Sequence, residues 1–178
     1  MPPPPGDLLT RLSIWVALIA YAIGAGLLLE ARREPGLRRR ARWAWAFGCV
    51  FFLSHVACAF AFFHHWSHAA AYRETARQTA ELTGWNWGGG IYFNYVVAAG
   101  WVTDVLWWWL APASFDRRPL WLTGLWQGFL FFMVFNGAVV FGHGPVRALG
   151  IVITILLAFL LWRRGKTAKL NTEAPHSP

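Results

Sequence analysis

LSIWVALIAYAIGAGLLL at Leu12–Leu29, EARREPGLRRRAR at Glu30–Arg42 and WAWAFGCVFFLSHVACAFAFF at Trp43–Phe63 decide the fold. Two uncharged runs flank a segment rich in arginine. A helix needs about 20 apolar residues to cross the hydrocarbon core of a bilayer. Inside lipid every backbone N–H and C=O must be satisfied within the chain, so such runs fold as helices. Strands of a membrane barrel alternate apolar and polar residues, and these runs are continuously apolar. The same reading extends outward. Leu120–Gly142 is uncharged, Ile91–Leu110 is interrupted only by Asp104, and Ala148–Trp162 completes the set. The prediction is an all-α, polytopic transmembrane helix bundle. It has five spans, over about 8–30, 41–64, 91–111, 119–142 and 145–163, or four if the short last one fails.

With 178 residues the chain suits a single helical domain over 1–166, followed by a disordered cytoplasmic tail over 167–178. A net charge of +8 raises the question of nucleic acid. Its placement answers against it, because the basic residues cluster at the ends of apolar runs, where anionic headgroups are the natural counterion. Thirteen Trp residues gather near the same ends, as an aromatic belt requires. The expected partners are therefore the lipid bilayer and other membrane subunits, and no nucleic acid. Cys49 and Cys58 lie nine residues apart in one span, on opposite helix faces, so they do not form a disulfide with each other. The N-terminal Met1–Gly6 is proline-rich, and the run that follows is longer than the apolar region of a signal peptide. It reads as a retained first span.

The basic residues also set an orientation. With five spans, Ala31–Arg42, Pro112–Pro119 and the C-terminal tail share one side and carry twelve Lys and Arg. The other side holds Arg11, Arg73, Arg77 and Arg147. By the positive-inside rule the N-terminus lies outside and the C-terminus is cytoplasmic.

Between spans two and three, Ser67–Thr83 keeps strong helix formers, with Glu74, Arg77 and Glu81 at helical pairing distances and Gly84 placed as a stop. It is predicted as an extramembrane or interfacial helix that continues span two. Trp85–Gly90 then leads back towards the membrane. Span four carries Gly124 and Gly128 in GxxxG spacing, a weak signal for close helix packing.

Three groups of residues bear on chemistry. His64, His68 and His143 fall at the outer end of the predicted bundle, and His64 and His68 share a face if the helix is continuous. Such imidazoles suit a transition metal or the axial ligation of haem. Interfacial histidines without a ligand are the commoner outcome, since HxxxH alone is unspecific. His55 stands in mid-span, and its spacing to His68 puts the two on different faces, which counts against a stacked pair of haems. It is expected to bond a neighbouring helix. Asp104 is the only acid inside a span, and ionised and unpaired it would cost about 3 kcal/mol. Gln127 sits at a similar depth and is its expected partner, with Arg117 or Arg118 in reach from the loop. Asn94 and Asn136 complete the intramembrane polar set.

No HExxH, P-loop, GxGxxG or GxSxG motif occurs, so no catalytic residue is assigned. Three functional readings follow. The first is a small accessory or structural membrane component, the second a metal- or haem-binding redox protein using the outer histidines. The third is ion or proton transport through Asp104 and His55, which the lack of an internal repeat disfavours.

Overall fold

The computed structural model describes residues 5–30 and 35–173. Every regular element among them is helical. Five long helices occupy the five apolar runs: α1 Pro5–Glu30, α2 Pro35–Phe62, α4 Gly90–Leu110, α6 Leu120–Phe135 and α7 Gly144–Glu173. Two further helices, α3 His68–Thr83 and α5 Pro112–Asp116, fill the connections. A π-helical turn over Asn136–Val140 prolongs α6.

Among the described residues four helices are long and apolar enough to cross a membrane: α1, α2, α6 with its π turn, and α7. Of the five long helices α4 is the one outside this set; it carries Asn94 and Asp104 among its apolar residues. The short fifth run, which looked weakest in the sequence, gains length because α7 starts at Gly144 and continues to Glu173. Residues 167–173, read as tail, thus belong to a helix, while 174–178 lie outside the described residues. So do 1–4 of the proline-rich start and 31–34 of the basic turn.

Small residues bring α1 against α2. Ala17, Ala20, Ala25 and Gly24 are buried there, and a Cβ on Gly24 would stand 3.0 Å from the Trp45 ring. Close backbone approach through small side chains is how helices associate where lipid competes for apolar surface. Then α4 lies antiparallel on α2, with Tyr95 near Phe60, Trp101 between Trp45 and Phe52, and Trp109 against Trp43. Tyr21, Trp45 and Trp101 form the centre, with ring centroids 5.2–6.1 Å apart in tilted and edge-on contacts. Gly100 admits α6: a Cβ there would meet the Trp126 ring at 2.4 Å. Ala138 of the π turn packs on Gly150 of α7, and the Arg163–Glu30 pair joins α7 to α1. The outer faces of the long helices expose Ile19, Ile23, Val50, Val96, Leu125 and Ile155. Water-soluble domains rarely present so much contiguous apolar surface.

The expected extension of span two is a separate helix. The chain breaks over Phe63–Ser67, where His65 and Trp66 have φ of 47° and 57°. Left-handed backbone at two successive non-glycine residues ends the α2 ladder, at a cost of about 1 kcal/mol or more for each. A new helix then starts. The Ser67 hydroxyl caps it by accepting from the Ala70 N–H at 3.2 Å. At the far end Gly84 takes φ 77° and donates its N–H to Ala80 O at 2.8 Å, so the predicted glycine stop is present. Thr75 lies over Gly90, and Gly88 has no room for a side chain because a Cβ would stand 2.4 Å from Tyr72 O. These contacts hold α3 beside the first turns of α4.

Candidate functional site

The polar centre of the bundle is built on Asp104. It is 7% exposed on α4, in the stripe that also buries Val97, Trp101 and Trp108. Its Oδ2 accepts from Trp45 Nε1 at 2.8 Å, and its Oδ1 accepts from Arg118 Nη1 at 2.5 Å. Both members of the ion pair are 8% exposed. The partner expected from depth, Gln127, is not the one used; its Nε2 is buried without a hydrogen bond among the described residues. The reason lies in the connection. Pro112 opens the single-turn helix α5, which folds the loop back beneath α4 and returns Arg118 to Asp104.

The same loop is fixed by aromatic packing. Phe115 stacks parallel on Trp108, with centroids 4.7 Å apart, and the Arg118 guanidinium sits 3.9 Å above the Phe115 ring. Asp116 pairs with Arg38 of α2, and Trp107 Nε1 donates to Ser114 Oγ at 3.1 Å. Arg42 lies over Trp109 at 4.5 Å. This end of the bundle therefore joins α2, α4 and the 111–119 loop by charge and by cation–π contact. Sequence reasoning missed Trp45. The available signal was a Trp two residues inside its run, with an N–H that needs an acceptor once buried.

His55 is a separate site. Its Nδ1 lies 2.9 Å from Thr10 O on α1, and facing a carbonyl it must carry the proton and donate. Ten residues along α2, about 15 Å, separate it from Trp45. Phe52, Trp101 and Tyr21 pack the space between, and among the described residues no hydrogen bond joins His55 to Asp104. Asn94 is exposed on α4. Asn136 donates Nδ2 to Phe132 O at 2.8 Å where the π turn begins.

The outer histidines are not gathered. Among the described residues no group of three His, Cys, Asp or Glu side chains is placed to hold a metal ion. The break at 63–67 removes the helical face that His64 and His68 were expected to share. His64 instead meets Phe60 edge-on at 5.6 Å, and His143 is exposed in the hairpin before α7. His68, the first residue of α3, has Nδ1 2.8 Å from the Tyr95 hydroxyl, with Tyr72 and Tyr92 around it. Further along α3, Arg77 binds Glu74 at 2.5 Å and also pairs with Glu81. The hydrogen bonds from Arg77 hold the Glu74 carboxyl below its ordinary pKa, and the same bonds raise that of Arg77.

Comparison with family models, curated proteins and solved structures finds no match to this chain.

Proposed function

We propose that the protein is a five-span integral membrane protein that serves as an accessory or structural component of the membrane, with its N-terminus outside and its C-terminus cytoplasmic. The observation that carries this reading is the use made of interior polar groups. Asp104 is consumed by Arg118 and Trp45, and His55 by the Thr10 carbonyl. Both hold helices together, and among the described residues no hydrogen bond links the two into a relay.

Support for α4 as the remaining span comes from its antiparallel packing along α2, which aligns both ends of the two helices. Five crossings also separate the basic residues twelve to four, and the twelve lie on the side assigned to the cytoplasm. Lipid and other membrane helices are the partners in this reading. On α6, Gly124 and Gly128 stand open beside exposed Trp121, Leu125 and Phe132, a surface suited to helix contact.

The test is purification without chelator, followed by an absorption spectrum, metal analysis and proton-flux assays in proteoliposomes. The accessory reading expects no Soret band, no stoichiometric metal and no flux that depends on Asp104. A Soret band or a metal lost in His68→Ala would establish the redox alternative. Flux abolished in Asp104→Asn with the fold intact would establish transport.

A further inference from the structure

On α3 the charges are unequally shared. Arg77 draws on both nearby carboxylates, Glu74 and Glu81, and Gln78 donates to Glu74 as well at 2.8 Å. Arg73, one turn earlier and exposed, makes no ion pair or hydrogen bond among the described residues. It stands between two open grooves and lines both. One, of about 770 Å³, is lined also by Tyr72, Ala76, Asn86, Arg77 and Glu81; the other, of about 610 Å³, by Phe63, His64, Arg77 and Glu74. In each groove the single carboxylate is paired with Arg77, so Arg73 is the cation left over.

The level of Arg73 in the fold follows from its neighbours. Phe62 ends α2, His68 sits beside Tyr95, and Thr75 lies over Gly90, the first residue of α4. Arg73 therefore lies where apolar helices end. Trp66 and Trp85, 70% and 69% exposed, flank α3 at its two ends, as side chains at the rim of a bilayer do. Phosphate is the abundant anion at that depth. A guanidinium meets it with two parallel N–H bonds, more strongly than a neutral donor does. Tyr72 and Asn86 on one side and His64 on the other line the grooves with side chains of a kind that can donate.

We infer that Arg73 and its two grooves form a binding site for a phosphate ester anion, supplied at this depth by the headgroup of an outer-leaflet phospholipid. This rests on the membrane reading above and is independent of the accessory role. The full-length protein is stripped of lipid in detergent and titrated with palmitoyl-oleoyl phosphatidylglycerol, and bound lipid is counted by native mass spectrometry. Arg73→Gln should weaken the tightest binding about tenfold, the loss of one charged hydrogen-bonding partner. Arg73→Lys, which keeps the charge without the fork, should lose less. Arg147→Gln, an outer-side arginine elsewhere, should leave it unchanged. Diacylglycerol, which lacks the phosphate, should not bind at the Arg73-dependent step.

Competition by soluble glycerol phosphate would place recognition in the phosphate ester alone; no competition would show that the acyl chains are needed. Equal binding by Arg73→Gln and the parent protein, or by diacylglycerol and phosphatidylglycerol, overturns the inference. Quenching of tryptophan fluorescence by brominated lipid, measured on every variant in vesicles, separates that failure from failure of the membrane reading. An inference that fails alone leaves the quenching intact.

Discussion

Asp104 shows how one residue can be legible in kind while its partner stays one of several candidates. Its isolation in an apolar run demands a counter-charge or donors, and the structure supplies both. Removing one side of a buried pair leaves the other charge uncompensated, which typically costs 3–5 kcal/mol. Asp104→Asn keeps an acceptor for Trp45 but strands Arg118, so we expect a loss of about 3 kcal/mol in unfolding measured in mild detergent. Asp104→Asn combined with Arg118→Met should recover most of that loss, because no charge is then buried. A single variant as stable as the parent would show that Arg118 reaches water. Gly100 gives a second residue-scale expectation. Its missing Cβ is the space that Trp126 fills, so Gly100→Ala should destabilise by about 1–3 kcal/mol through overpacking. The sequence pointed instead to the GxxxG pair Gly124 and Gly128, whose Cβ positions are open. For Asp104 the sequence offered Gln127, Arg117 and Arg118 without ranking the arginines; Arg118 is the one that pairs because a five-residue helix turns the loop back.

At the scale of elements, long helices were legible from their apolar runs, and α3 from its helix formers, charge pairs and glycine stop. The break before α3 was not. Left-handed backbone is usually announced by glycine or asparagine, and here histidine and tryptophan adopt it. The Ser67 cap should make the start of α3 sensitive: Ser67→Ala should lower its stability by about 1 kcal/mol, read as faster amide exchange over residues 70–75. The Glu74–Arg77 pair adds a pH dependence of defined sign. Because the Glu74 pKa is depressed in the fold, its contribution is complete above the ordinary value of 4.5 and is lost as pH falls below that value through the depressed one. Intrinsically corrected exchange of α3 should therefore be constant from neutral pH to about 5 and rise in more acidic buffer. The Glu74→Gln variant should show no such rise.

For the whole molecule, the prediction concerns sidedness. With Cys49 and Cys58 replaced by alanine, single cysteines at Arg40 and Arg147 should be labelled by impermeant reagents from opposite faces of sealed vesicles. Labelling of both from one face would remove α4 as a span. The bundle also carries an order of assembly in its contacts. The surface on which Trp101 settles, Tyr21 with Trp45 and Phe52, lies wholly within the first 62 residues. During synthesis the α1–α2 hairpin is thus complete before α4 leaves the ribosome, and it offers the later helix a finished seat. Lesions in that hairpin, such as a bulky residue at Gly24, would act on biogenesis as well as on equilibrium stability. They should send nascent chains to proteolysis before the C-terminal half has been made.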